Sequence, residues 1–312
     1  MREQLRPKKK TKRKWLWITL STIGALLIGV AVYAYSIYSS VEQAAGQMYE
    51  QPTREFSVKR IEKIDYAEKD PISILIMGVD ERTGDRGRSD TMIVMTVNSN
   101  TQSMKMVSIP RDTRTEIIGK GKLDKINHAY AFGGTDMAVN TVEHFLDIPI
   151  DHYIKVNMES FKEIVDAVGG VTVHNPFKFT DGGYTFEEGE ISLDGAQALA
   201  YSRMRYQDPR GDFGRQDRQK QIILAIIQKG ASFSSLNKFD DVLTILGGNV
   251  KTDLTFDQMV DIQANYKEAR HNLEQFQISG SGDTINGVYY YIVPDEERLS
   301  LSGKLKEHLE LN

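Results

Sequence analysis

From Trp15 to Tyr35 the chain reads WLWITLSTIGALLIGVAVYAY, twenty-one residues without a charge, and the next charge after Lys14 is Glu42. At ~1.5 Å rise per residue, such a helix is about as long as the ~30 Å hydrocarbon core is thick, so the pattern predicts one transmembrane helix over residues 15–35. Residues 36–71 are charged and weakly patterned, which predicts a stalk ending at Pro71. Beyond it, Ile72–Val79 (ISILIMGV) and Thr91–Val97 (TMIVMTV) are nearly continuous apolar runs, as expected of central strands covered on both faces. Met104–Ile109 is a third strand candidate, and Tyr153–Val156 and Val171–His174 add short ones. Helical spacing appears at Ala138, Val142, Phe145 and Leu146, at Phe161, Ile164, Val165 and Val168, and at Ile222, Ile223, Ile226 and Ile227. Gly133–Gly134 and Gly169–Gly170 read as helix stops. Interleaved strands and helices predict an α/β domain over residues 72–312, a sheet covered by helices, with no internal repeat to divide it.

Charge orients this plan. Residues 1–14 hold eight basic side chains against Glu3 alone, while almost none lie just beyond the span. That asymmetry favours a cytoplasmic arm and an extracytoplasmic domain. Trp15, Trp17, Tyr33, Tyr35 and Tyr38 stand where interfacial aromatic anchors belong. A cleaved signal peptide is the competing reading, since Ala44 and Ala45 offer small residues, but the apolar run exceeds the ~7–15 residues of a signal h-region and favours a retained anchor. Without the arm, 31 basic residues face 42 acidic ones, a net charge near minus 11 that argues against general nucleic-acid binding. The chain has no cysteine, which excludes thiol redox chemistry.

The first chemically informative stretch is GVDERTGDRGRSDTMIV, residues 78–94. Asp80 leaves one predicted strand and Asp90 enters the next, and strand ends are where α/β sheets tend to build sites. Two carboxylates brought together across a loop make half of a magnesium site, because Mg²⁺ takes oxygen ligands, keeps waters and completes its shell from substrate phosphate. The alternative is a polar turn facing solvent. Arg82, Arg86 and Arg88 in the same loop suit the remaining phosphate oxygens, with surface ion pairing the simpler reading for Arg86. Arg111 and Asp112 of SIPRDT follow the third strand at a similar end, so Arg111 is placed to meet the same phosphate.

The second stretch is YSRMRYQDPRGDFGRQDRQKQII, residues 201–223. Arg203 and Arg205 share a face if the backbone is extended there. A helix predicted from Asp212 puts Asp212, Arg215 and Gln219 on one side and leaves an arginine-bearing N-terminal end suited to anions. A solvated charged helix is the alternative; against it stand five arginines between positions 203 and 218 of an acidic domain. No Walker A loop, dinucleotide fingerprint, HExxH or GxSxG is present, so no nucleotide is expected. The six histidines lack metal-ligand spacing, and Tyr289–Tyr291 reads as a packed strand before a sugar platform.

GVDERTGDRGRSDTM, SIPRDT, KINHAYAFGG, VGGV and LDGAQALAYSRMRYQDPRGDFGRQDRQKQII, in this order behind one membrane helix, resemble the LytR-CpsA-Psr family of Gram-positive cell-wall enzymes over nearly the whole chain from Ile72 on, and most of all its wall teichoic acid branch. The resemblance implies an α/β/α domain with a central mixed sheet and a hydrophobic groove for a polyprenyl chain. It implies a phosphotransferase moving an anionic glycopolymer from undecaprenyl pyrophosphate to a sugar hydroxyl of peptidoglycan at the outer face of the cell membrane. Carried over by motif, Asp80 and Asp90 hold Mg²⁺, while Arg82, Arg88, Arg111, Arg203, Arg205, Arg215 and Gln219 surround the pyrophosphate. Arg111 then acts in catalysis, and Asp212 is the candidate for accepting the proton of the attacking hydroxyl. No ATP is required, because the pyrophosphate bond carries the energy. Two rivals remain at this stage: a membrane-bound regulator of envelope functions, and a hydrolase using water where the transferase uses a sugar.

Overall fold

The computed structural model describes residues 10–54, 56–81, 86–157, 160–231 and 239–311. The apolar run of the N-terminus lies in a single helix, α1 (Lys10–Met48), whose side chains from Trp15 onward are almost all exposed through the predicted span. The helix outlasts the span: Ala44 and Ala45 are buried, and Tyr38 packs edge-on against Phe256. Residues 49–70, expected as a stalk, lie along the domain. Tyr49 forms a β-bridge with Thr252, and Arg54, Lys59 and Arg60 pair with Glu143, Asp147 and Asp151 at 2.6, 2.5 and 2.7 Å. Glu143 is buried and accepts from Arg54, Ser57 and the backbone N–H of Ile150, so its charge is matched at every side.

The central sheet starts from β1 (Ile72–Val79) and β2 (Ser89–Asn98), an antiparallel pair. Every residue of β1 is buried because both its faces are covered. Leu75, Met77 and Val79 point to one core; Ile72, Ile74 and Ile76 point to the other. The sheet continues through β3 (Ser103–Ser108), followed by the small hairpin β4 (Arg114–Ile117) and β5 (Lys122–Lys125). Helix α2 (His128–Leu146) bends at Gly134, whose φ of 70° interrupts the helix where the glycine pair predicted a stop, and then resumes. It leads to β6 (His152–Asn157), parallel to β1.

A second, smaller core follows. Helix α3 (Phe161–Ala167), the pair β7 (Val171–Asn175) and β10 (Gly189–Leu193), and the hairpin β8 (Phe179–Asp181) and β9 (Tyr184–Phe186) gather around Phe179, Phe186 and Tyr201. Helix α4 (Gly195–Arg203) opens with a capping box between Asp194 and Gln197, which satisfies two end groups reciprocally. Helices α5 (Asp212–Ala231) and α6 (Phe239–Asn249) precede the edge strand β11 (Val250–Thr252). Helix α7 (Phe256–Tyr266), β12 (Leu273–Gln277), the hairpin β13 (Ser281–Ile285) and β14 (Val288–Ile292), and α8 (Asp295–His308) complete the chain. Strand order in the sheet is β11-β6-β1-β2-β3-β12, with parallel and antiparallel neighbours. Residues of α2 and α8 fill one face, residues of α5 and α7 the other. The architecture is α/β/α with a mixed sheet, as the pattern and the resemblance implied.

Candidate active site

The site forms where β1 ends and β2 begins. Gly78 pairs with Thr91 and Val79 with Ser89, so Asp90 is an extra residue in a bulge. A bulge re-aims its side chain, which is how a residue inside a buried strand pair reaches an exposed end. The Asp80 N–H donates to the Arg88 carbonyl at 3.2 Å, closing the intervening loop. Gly87 permits this: its φ is +67°, and a Cβ there would lie 1.9 Å from the Asp80 carbonyl oxygen. Arg82 of this loop lies outside the described residues, and Arg86 and Arg88 are exposed.

Three other segments converge on Asp90. Arg111, after β3, donates to Asp90 Oδ1 at 3.0 Å. Asp112 accepts Lys125 of β5 at 2.7 Å and lies 3.7 Å from Arg111 Nε. Asn127 reaches the same Asp90 oxygen at 3.5 Å while its backbone N–H holds the Arg111 carbonyl. From the first turn of α5, Asp212 lies 2.8 Å from Arg215 and 4.0 Å from Arg205. Thr91 donates to Gln219 at 2.8 Å, tying the strand to the same helix face. The predicted grouping of Asp212, Arg215 and Gln219 is therefore found.

Burial and neighbouring charges shift the two inner arginines in opposite directions. Burial pulls Arg215 below the usual guanidinium range, and neighbouring Arg111 and Arg205 lower it further against the opposing pull of Asp212 and Asp90. Arg111 is also penalised by burial, but Asp90, Asp212 and Asp112 outweigh that and leave it raised. Several buried polar atoms here have no hydrogen-bond partner: Arg215 Nε and one terminal nitrogen, Arg111 Nε, Asp212 Oδ1, Asn127 Oδ1 and the Ser89 hydroxyl. The Asp212–Arg215 contact is close but too oblique to count as a hydrogen bond. Buried polar atoms without hydrogen bonds are costly even inside ion pairs, so this concentration, donors and acceptors together, marks a cradle suited to a polar occupant.

Two expectations change. Arg203 is the last residue of α4, not part of an extended segment, so Arg203 and Arg205 do not share a face by strand alternation; both are exposed, and Arg205 alone has a recorded contact with Asp212. The five arginines between 203 and 218 also divide by role. Arg218 is fully buried, bonding Asp208 at 2.6 Å and the carbonyls of Tyr201 and Met204, with Phe179 and Tyr201 alongside. Arg210 pairs with Asp208 and Asp217. These two pin the α4–α5 loop; a Cβ on Gly214 would collide with the Asp208 carboxylate that anchors it. Asn127, Asp112 and Lys125 join the site without having been singled out as ligands, since single polar residues at turns carry no periodic signal.

For a metal, Asp80 and Asp90 supply hard oxygen donors at adjacent strand ends. Among the described residues no group of three or more His, Cys, Asp or Glu side chains converges. A two-carboxylate donor set beside an anion cradle fits Mg²⁺, which keeps waters and shares phosphate oxygens, better than metals that need a full protein cage.

Beside the cradle opens an apolar pocket of about 220 Å³ between the sheet and α3, α5 and α6. Ile76, Ile154, Phe161, Ile164, Ile223, Ile226 and Leu246 line it, and Thr91 and Gln219 stand in its wall. One wall pair thus belongs to both the charged site and the greasy one.

The sequence model of the LytR_cpsA_psr family matches residues 33–307. The polyisoprenyl-teichoic acid–peptidoglycan teichoic acid transferase TagU of Bacillus subtilis (strain 168) is 53% identical over 307 residues, covering 98% of this chain and 100% of that relative. The crystal structure of B. subtilis TagU superposes with a TM-score of 0.65 over 78% of this chain and 99% of that one. A structure described as TagT bound to LI-WTA, 32% identical, superposes with a TM-score of 0.71 over 84% of this chain and 99% of that one. With the family model matching residues 33–307 and such relatives covered over nearly their whole length, the chain belongs to the LytR-CpsA-Psr family.

Proposed function

We propose that this chain is a magnesium-dependent phosphotransferase that moves wall teichoic acid from undecaprenyl pyrophosphate to a peptidoglycan sugar hydroxyl, acting outside the cytoplasm from a single retained membrane anchor with its N-terminus inside. The single observation that carries the reading is the contiguity of the two sites: Arg111 and Arg215 nitrogens without hydrogen bonds on one side of the Thr91–Gln219 pair, a largely apolar pocket on the other. A polyprenyl pyrophosphate has this same division into a charged head and an apolar tail. The activity for which the relatives are named supports the transfer chemistry, and the basic arm before an apolar helix supports the topology.

In this reading the prenyl chain lies against Ile154, Ile223 and Leu246, and Arg111, Arg205, Arg215 and Gln219 bind the pyrophosphate oxygens, with Arg82, Arg88 and Arg203 carried over from the family's motifs as further ligands. Asp80 and Asp90 would hold Mg²⁺, which would supply charge neutralisation at the pyrophosphate. The acceptor hydroxyl oxygen bonds to the phosphorus on the glycopolymer side, and the bond from that phosphorus to the bridging oxygen breaks. Undecaprenyl phosphate leaves with the bridging oxygen and its electron pair. Asp212, whose Oδ1 is buried without a hydrogen bond, takes the hydroxyl proton. Arg111 and Arg215 stabilise the charge that grows on the bridging oxygen.

The test incubates the full chain with a lipid-pyrophosphate-linked glycan and peptidoglycan oligomers, with and without Mg²⁺, and follows products by mass spectrometry. A phosphodiester-linked adduct that needs Mg²⁺ and is lost in Asp90→Ala is the expected result. Phosphorylated glycan released without adduct would replace the transferase by a hydrolase, and no turnover of donor would leave a binding or regulatory protein.

A further inference from the structure

The hairpin β13–β14 is fastened to the catalytic cluster by its backbone. The Tyr291 N–H donates to the Asp112 carbonyl at 2.8 Å, Thr113 and Tyr291 form a β-bridge, and the Tyr291 ring packs edge-on against Phe213, next to Asp212 in α5. Tyr291 is thus a buried anchor, as the packed-strand reading of the tyrosine run expects. Tyr289 is different: it is half exposed, 50%, while Tyr291, two residues along the strand, is 5% exposed. A Cβ on Gly282 would lie 2.6 Å from the Tyr289 ring, so the glycine makes room for the ring on the hairpin. Lys125 lies 6.0 Å from the Tyr289 ring centre and Arg114 lies 5.8 Å from that of Tyr290. Lys125 also holds Asp112, whose neighbour Arg111 holds Asp90.

We infer that the outer face of this hairpin, with Tyr289 as its platform, is the acceptor subsite, and that it takes the glycan strand of peptidoglycan. The inference rests on the transferase reading above. An exposed aromatic ring suits the apolar face of a pyranose, and Lys125 beside it matches the carboxylates that a peptidoglycan strand carries on its stem peptides. The platform is continuous with the reacting atoms through Lys125, Asp112 and Arg111, and it stands apart from the apolar pocket that holds the donor tail. A backbone link to Asp112 and a ring contact with α5 present a bound sugar at a constant height relative to Arg111 and Asp212, which is the condition for orienting an attacking hydroxyl.

The experiment uses the full chain in detergent micelles, with soluble, peptide-bearing glycan oligomers cut from peptidoglycan as the probe and calorimetric titration as the readout. Tyr289→Ala is expected to weaken oligomer binding about tenfold, the equivalent of ~1.4 kcal/mol, and to raise the KM for the acceptor while leaving that for the lipid-linked donor unchanged. Tyr289→Phe keeps the face and retains wild-type binding. Equal oligomer affinity in wild type and Tyr289→Ala, or loss of donor affinity in that variant at unchanged thermal stability, would overturn the subsite. Because binding is read without turnover, oligomer binding that depends on Tyr289 sustains the subsite even if no adduct ever forms, whereas adduct formation unaffected by Tyr289→Ala sinks it alone.

Discussion

At the scale of single residues, similar arginines in one short stretch do opposite work. Arg215 is buried near Arg111 and Arg205, with two nitrogens that make no hydrogen bond and a lowered pKa, so it gains when an anion arrives. Inorganic pyrophosphate with Mg²⁺ is therefore expected to raise the melting temperature of the full chain; at a hundredfold excess over Kd the stabilisation is about 2.7 kcal/mol. Arg215→Gln should lose most of that rise and the transfer activity with it, as thermal scans with and without the ligand will show. Arg218 instead completes a fully buried pair with Asp208. Asp208→Ala leaves its guanidinium uncompensated and should cost about 3–5 kcal/mol in denaturant unfolding, with the double change Asp208→Ala, Arg218→Met costing less than the single one. Nothing in spacing separates these two arginines, since both sit on α5 three residues apart; the packing of Phe179 and Tyr201 against one of them does.

At the scale of elements, hydrophobic pattern and structure agree best where an element is buried on both faces. The predicted Ile72–Val79 is β1 without change, and Met104–Ile109 differs from β3 by one residue at each end. Helix α5 starts at Asp212 as predicted from the proline and glycine before it. Agreement fails where long-range contacts take over: Gly134 bends α2 without ending it, because Ala138, Val142 and Phe145 continue onto the same core. Helix α8 shows how such docking responds to pH. Its His308 is buried against Thr96 and Ser103, and burial, aided by Lys105, pushes its pKa below the usual value. A folded state that resists protonation binds fewer protons than the unfolded one below pH 6.5, so this contribution is fully present above that pH and is lost as pH falls toward the folded pKa. Thermal scans at pH 7.5 and 5.5 should show a drop in melting temperature that is smaller in His308→Gln.

At the scale of the whole molecule, the anchor and the domain are joined through packing as well as through the chain. Ala44 and Gln47 of α1 crowd Gly247 of α6, and α6 also supplies Leu246 to the apolar pocket. The apolar helix α1 is thereby in contact with an element that lines the proposed lipid site, so a prenyl chain leaving a bilayer spanned by α1, as proposed, would have a short path to the pocket. The absence of cysteine makes topology directly measurable. A single cysteine placed at the 96% exposed Tyr206 should react with a membrane-impermeant maleimide in intact cells, and one placed at Gln4 should react only after the membrane is opened. The reverse pattern would invert the proposed orientation.

The sequence alone determined the apolar helix, the α/β class, the main strands and the two motif stretches that carry acids and arginines, because these rest on local periodicity and on residue types that short-range patterns record. Tertiary structure alone decided which arginines gather in the cradle and which brace a loop, that residues 49–54 and 56–70 lie on the domain, and that the charged cradle shares a wall with an apolar pocket. Those outcomes depend on which buried groups find partners across distances of tens to hundreds of residues, as when Thr91 meets Gln219 or Arg54 meets Glu143, and no window along the chain contains both members of such a pair.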